Sequence, residues 1–139
     1  MFCQKLTQNA TVPKQKTKYS AGYDLCTNAK GKIKREDRTI ITTGIAVKIP
    51  EGYVGIIKSR SGLSVRHGLE VGAGVIDSDY TGELKIIMHN HGDKDYHYKS
   101  GERIAQLLIM PVIHKPFKLV KDLEETERGN SGFGSTGKY

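Results

Sequence analysis

Gly72-Ala73-Gly74-Val75-Ile76-Asp77-Ser78-Asp79-Tyr80-Thr81-Gly82 is glycine-rich at its start, apolar in its middle and acidic at its end. Val75 and Ile76 are β-branched and favour a strand. Gly72, Gly74 and Gly82 favour turns, or backbone that another group can approach closely. The stretch is predicted to be a β-hairpin with an exposed main-chain edge, two carboxylates beside it and an aromatic ring, Tyr80, directly after. A planar ligand fits against such an edge while Asp77 acts on a neighbouring water. Other readings compete. Asp77 and Asp79 are also ordinary turn residues. The pattern Asp77-x-Asp79-x-x-Gly82 opens like a calcium loop, but Met88 stands where the twelfth position needs a bidentate Glu. Two carboxylates at i and i+2 also suit a glycosidase pair, and nothing else in the chain supports one. The remainder of the chain decides the chemistry.

Working outward, the pattern is β on both sides. Ile40, Ile41, Ile45, Val47 and Ile49 mark strand positions that Thr42-Thr43-Gly44 interrupts, and Pro50-Glu51-Gly52 is a turn. Strands are predicted over 53–57, 69–71, 74–76, 84–89, 95–98 and 104–112, the last ending near Pro111. Earlier, a strand over 2–6 precedes a Lys-rich loop. Ala21-Gly22-Tyr23-Asp24-Leu25 turns into a strand, and a short strand surrounds Ile33. Ser61 to Gly68 is the one predicted helix, stopped by Gly68. Many short strands with turns at regular spacing predict an all-β sandwich or barrel. Residues 1–127 are expected to form one β-domain, and residues 128–139 a flexible Gly-rich C-terminal arm.

The 139 residues suit a single domain that gains from oligomerisation. Mean hydropathy of −0.47 and the lack of a long apolar run argue against a membrane span. The start of the chain carries no apolar leader, so an intracellular (cytoplasmic or nuclear) location is expected. Cys3 and Cys26 form no CxxC pair and are expected to be free thiols. A net charge of +7 points to an anionic partner. Its spread along the chain, without a dense block, favours a small polyanion over nucleic acid.

Three more stretches carry chemistry. Lys58-Ser59-Arg60-Ser61-Gly62-Leu63-Ser64 places an Arg, hydroxyls and a Gly before a helix start, where free N–H groups suit phosphate; a capped helix with solvated charges is the plain alternative. Gly101-Glu102-Arg103-Ile104-Ala105-Gln106 puts Arg103 and Gln106 at the start of an apolar strand. A buried Gln there must be hydrogen-bonded or bind a ligand. Arg128-Gly129-Asn130-Ser131-Gly132-Phe133-Gly134-Ser135-Thr136-Gly137 is a Gly-rich anion loop with one ring. It is not a P-loop, because Ser135 replaces the Lys and no helix can follow. Arg128 suits a phosphate and Phe133 a base, on a segment that orders upon binding. His89-x-His91 is a weak metal signal without a third ligand.

These four stretches together with Ala21-Gly22-Tyr23-Asp24-Leu25 resemble, in order and spacing, the five motifs of the homotrimeric dUTPase family. The resemblance runs from Ala21 to Gly137. It implies a jelly-roll-like β fold with one short helix, assembled as a trimer whose three active sites are shared between subunits, with each arm closing over a neighbour's site. It implies hydrolysis of dUTP to dUMP and pyrophosphate by water attack on the α-phosphorus, which limits uracil in DNA and supplies dUMP for dTTP synthesis. Asp77 matches the carboxylate that activates the water. Tyr80 matches the aromatic that packs on deoxyribose and excludes a 2′-OH. Ala73, Gly74, Val75 and Ile76 match the backbone that pairs with uracil, and Phe133 the ring that stacks on it. Arg60, Ser61, Gly62, Gln106, Arg128, Gly134, Ser135 and Thr136 match phosphate ligands. Asp24 and Arg103 match supporting positions. Mg²⁺ is implied as cofactor, held by the substrate phosphates without a direct protein ligand. No nucleic acid or membrane is implied as partner. Ser59 and Ser131 depart from the pattern, standing where Pro and Gly are usual. A dCTP deaminase on the same fold is the nearest alternative, and Asp77-Ser78-Asp79-Tyr80 with the complete arm argues against it.

Overall fold

The computed structural model describes residues 1–132. Ten strands and one helix follow one another along the chain: β1 (Phe2–Lys5), β2 (Tyr23–Cys26), β3 (Gly31–Ile33), β4 (Asp37–Lys48), β5 (Tyr53–Ser59), α1 (Ser61–His67), β6 (Leu69–Gly72), β7 (Val75–Ile76), β8 (Glu83–Asn90), β9 (Tyr96–Tyr98) and β10 (Arg103–Pro111). They form two four-stranded antiparallel sheets, ordered β1-β4-β8-β6 and β2-β10-β5-β7, and a two-stranded ribbon, β3-β9. This is the sandwich expected from the strand pattern and the jelly-roll-like fold implied by the resemblance.

Alternation explains why each strand lies where it does. In β8, Leu84, Ile86, Met88 and Asn90 are buried, while Lys85 points outward. Ile41 and Ile45 from β4 join these residues in one core with Leu25 of β2, Ile57 of β5 and Ile104, Ala105 and Leu107 of β10. Each fully buried aliphatic side chain contributes about 1.5–3 kcal/mol. Asn90 is the main polar guest. Its amide donates to the Ile33 and Lys94 carbonyls at 3.1 and 2.8 Å, and its oxygen accepts the Gly92 N–H at 2.9 Å. Those bonds satisfy its buried polar atoms and tie β3 and the β8–β9 loop to the sheet.

Two expectations change. Thr42-Thr43-Gly44 does not end a strand; β4 runs through it with a register shift between Thr42 and Ala46. Gly44 takes φ +66 there, and the Thr43 hydroxyl donates to the Leu84 carbonyl at 2.7 Å. The bulge is stabilised by a side chain, so the sheet absorbs it. The second change concerns residues 72–82, which are not a hairpin. β6 pairs with β8 in one sheet, and β7 pairs with β5 in the other. The chain therefore crosses the sandwich at Ala73 and Gly74. Ala73 has φ 57 and Gly74 φ 109, and the Gly74 carbonyl accepts the Ile57 N–H at 2.8 Å. The expected exposed main-chain edge is real, because β7 is the outermost strand of its sheet.

Both cysteines are free. No helix among the described residues is long and apolar enough to cross a membrane. No strand is formed between Val112 and Gly132, and Ile113, Phe117, Leu119 and Leu123 in that segment are largely or wholly exposed.

Candidate active site

Asp24 of β2 organises one side of the molecule. Its carboxylate meets Arg60 Nε at 3.4 Å through one oxygen and Arg103 at 3.0 Å through the other. Arg60 also donates to the Arg103 carbonyl at 2.7 Å. Two arginines far apart in sequence are thus fixed by one partly buried carboxylate, with each guanidinium held in a set direction. β10 pairs with both β2 and β5, so Gln106 lies opposite Asp24 on one side and Lys58 on the other. Its amide donates to the Ser59 carbonyl at 3.0 Å. A side chain at Gly22 would run into Gln106, its Cβ falling 3.0 Å from the Gln106 Cβ. Glycine before β2 is therefore a requirement of the glutamine's placement.

Arg60 also opens α1. It is extended (φ −95, ψ 127), and its carbonyl accepts the N–H groups of Leu63 and Ser64 at 2.9 and 3.0 Å. No side chain caps the start, contrary to the plain capped-helix alternative. Of the first-turn N–H groups, those of Ser61 and Gly62 have no partner among the described residues and stay available to a ligand. Leu63 is the buried anchor, and Gly68 ends the helix in the left-handed conformation. Asp24, Arg60, Ser61, Gly62, Arg103 and Gln106 line one cavity of about 400 Å³. Cys26 lies nearby, its thiol pushed up by burial and by the charge of Asp24, so it offers no thiolate nucleophile.

The second group is built on backbone. Val75 is 65% exposed on the edge strand β7, which leaves its outer side open. The chain then turns, with the Tyr80 N–H donating to the Asp77 carbonyl at 3.1 Å. Lys48 Nζ donates to the Ser78 carbonyl at 3.2 Å. The Asp77 side chain is exposed. Tyr80 donates its hydroxyl to the Glu83 carbonyl at 2.9 Å, which tethers the ring over Gly82; a Cβ there would sit 2.6 Å from the phenolic oxygen. Asp77 lines a cavity of about 770 Å³ with Lys48, Pro50, Ser78, Asp79 and His114. Within one chain, Asp77 and the Asp24 cluster thus line different cavities.

Comparison with known proteins is decisive about the family. The dUTPase family model matches residues 8–137. The chain belongs to the dUTPase family. A deoxyuridine 5'-triphosphate nucleotidohydrolase of Swinepox virus is 45% identical over 97% of this chain and 95% of its own. The structure of Staphylococcus bacteriophage 80alpha dUTPase with dUpNHpp superposes with a TM-score of 0.90 at 34% identity, covering 98% and 97% of the two chains. A D95N mutant dUTPase from phage phi11 of S. aureus, described with a structural Mg(II) ion, reaches a TM-score of 0.84 at 29% identity, covering 89% of this chain and 98% of its own.

In dUTPase terms, the first, second and fourth motifs converge on the Asp24 cavity and the third stands apart. Of the fifth motif, Arg128 is exposed and its Nε donates to the Ser131 carbonyl at 3.1 Å, while Gly129 has φ 46. Phe133, Gly134, Ser135 and Thr136 lie outside the described residues. No group of three or more His, Cys, Asp or Glu side chains among the described residues is arranged to hold a metal. His89 and His91 simply stack, with ring centroids 5.7 Å apart.

Some residues around the site escape sequence reading. Ser59 donates its hydroxyl to Glu70 at 2.6 Å and accepts the Val71 N–H at 2.8 Å. Ser64 donates to the other Glu70 oxygen. Those two hydroxyls hold the Glu70 carboxyl below the usual carboxylate range. A proline at 59, the usual family residue, makes neither bond. The departure is therefore a brace between α1 and β6. Arg66 and Lys16 also line the Asp24 cavity. A helical i+4 spacing from Gly62 was the available signal for Arg66, whereas Lys16 had none.

Proposed function

We propose that the chain hydrolyses dUTP to dUMP and pyrophosphate, as the enzymes it resembles are named for doing. The observation that carries this reading is the arrangement of residues 73–80. An open strand edge, an exposed carboxylate and a tethered tyrosine follow one another within eight positions. An edge strand offers alternating N–H and C=O groups, which match the acceptor–donor–acceptor edge of uracil. Asp77 is the general base toward the attacking water. The Tyr80 ring closes the space a 2′-hydroxyl would need. Rejection of other bases follows from unpaired polar groups against the strand edge.

Arg60, Ser61, Gly62 and Gln106 bind the phosphates, with Asp24 and Arg103 fixing the Arg60 direction. Their charge and N–H groups stabilise the in-line transition state. The two cavities come together between copies of the chain, three of which form the enzyme. The exposed Phe117, Leu119 and Leu123 supply apolar surface for that assembly. The arm from Arg128 brings that guanidinium, Phe133 and the Gly134-Ser135-Thr136 loop over a neighbour's site. An Mg²⁺ ion would be held by the substrate's own phosphates, without a direct protein ligand; no metal-holding cluster of side chains occurs among the described residues. When bound, it neutralises phosphate charge.

Product analysis with Mg²⁺ and dUTP, UTP, dTTP and dCTP supplied separately tests the reading. dUMP and pyrophosphate are expected from dUTP alone. Ammonia from dCTP, or no turnover of any of the four, overturns it. A chain ending at residue 127 is expected to fold with little activity; full activity would remove the arm from the site.

A further inference from the structure

The Asp24 cavity holds more positive charge than the motif residues account for. Arg60 and Arg103 share the carboxylate of Asp24. Arg66 and Lys16 line the same cavity, are exposed, and make no ion pair or side-chain hydrogen bond among the described residues. Four cationic side chains therefore face a single carboxylate there.

Neither position is accidental. Arg66 stands one helical turn after Gly62, on the same face of α1. Its guanidinium lies over that glycine, because a Cβ at 62 would fall 2.9 Å from a terminal nitrogen. Gly62 thus makes room for a charge as well as exposing backbone. Lys16 is brought in by the N-terminal loop, which is fastened to β2 where the Lys14 carbonyl accepts the Asp24 N–H at 2.9 Å.

We infer that Arg66 and Lys16 are further phosphate-binding residues, contributing to affinity for the polyphosphate tail of the substrate. The inference rests on the dUTP reading above. Arg60 is held rigidly by Asp24 and sets geometry, whereas Arg66 and Lys16 carry unshared charge that a tail of about four negative charges attracts strongly. The Arg66 fork can take two phosphate oxygens at once, and Lys16 acts as a point charge.

The test is steady-state kinetics of Arg66→Gln, Arg66→Lys and Lys16→Gln, with inhibition by inorganic pyrophosphate and by dUMP. Arg66→Gln is expected to raise KM for dUTP about tenfold, to leave kcat within about twofold, and to weaken pyrophosphate inhibition by the same factor as KM. Inhibition by dUMP should change much less. Arg66→Lys should recover most of the loss, and Lys16→Gln should cost about threefold in KM. An unchanged KM and pyrophosphate inhibition in the Gln variants overturns the inference while leaving the dUTP reading intact. So does an equal loss for dUMP and pyrophosphate, or a fall confined to kcat. A wild-type chain that leaves dUTP untouched overturns both.

Discussion

The Asp24 cavity and the 73–80 segment are built on opposite principles. In the first, one carboxylate and two guanidiniums fix one another, and a glutamine beside them is held by the Ser59 carbonyl. In the second, the groups proposed to act on the base and the water project from an edge strand and a turn. Among the described residues only Tyr80 of its side chains is fastened, and that to the backbone of Glu83 three positions on. The groups proposed to hold substrate are thus pre-positioned by internal bonds, whose geometry one chain can complete. The carboxylate proposed as general base has no internal partner among the described residues, which leaves it open to water and substrate. A change in the first region is felt by several side chains and by stability, while a change in the second is felt by the reaction.

Asp77→Asn gives the largest expected effect: turnover falls by about 10²–10⁴-fold while nucleotide binding and Tm stay near wild type. A substantial drop in Tm, or loss of binding alongside turnover, would break the contrast. Asp24→Asn comes next. Replacing the carboxylate removes the charge shared by Arg60 and Arg103, and a charge-assisted bond of about 1.5–3 kcal/mol predicts a KM increase of roughly tenfold or more with a lowered Tm. Effects on kcat alone would place Asp24 in the chemistry instead. Gly82→Ala is a smaller perturbation. Gly82 does not have a positive φ, so an alanine meets only the Tyr80 ring. The preference for dUTP over UTP, measured as a kcat/KM ratio, should fall by roughly tenfold. An unchanged ratio would show that the tether is not what places the ring.

The smallest effect concerns the brace at Glu70. Its carboxyl is held low in the folded state by the Ser59 and Ser64 hydroxyls. The resulting stability is present above the ordinary carboxylate range and is lost as pH falls through the lowered folded value. Glu70→Gln should cost less than about 1 kcal/mol near neutral pH and nothing at strongly acid pH. A cost that persists at acid pH would assign the brace to packing.

Strand and helix positions are legible because they rest on local chemistry. β-branched alternation marks β4 and β8, and Gly68 marks the helix end. Pairing is less legible. Gly72 and Gly74 announce a change of direction, but nothing local tells whether β7 returns to β6 or passes to β5. Only the competition among non-local partners decides that, which is why a crossover reads as a hairpin. The same limit applies to the site. The stretches containing Arg60, Asp77 and Gln106 are recognisable by composition. Ser59, Glu70, Arg66 and Lys16 acquire their roles from neighbours that are brought beside them by folding.

The crossover at Ala73 and Gly74 also acts as a ruler. Two residues carry the chain from the end of one sheet to the outer strand of the other. Strand side chains alternate with a period of two, so one added residue would turn Val75 and Ile76 over and offer the opposite set of backbone groups at the open edge. The length of this segment is therefore as much a part of the binding surface as its residues. Substitutions in it can be graded, whereas an insertion changes the pattern the edge presents all at once.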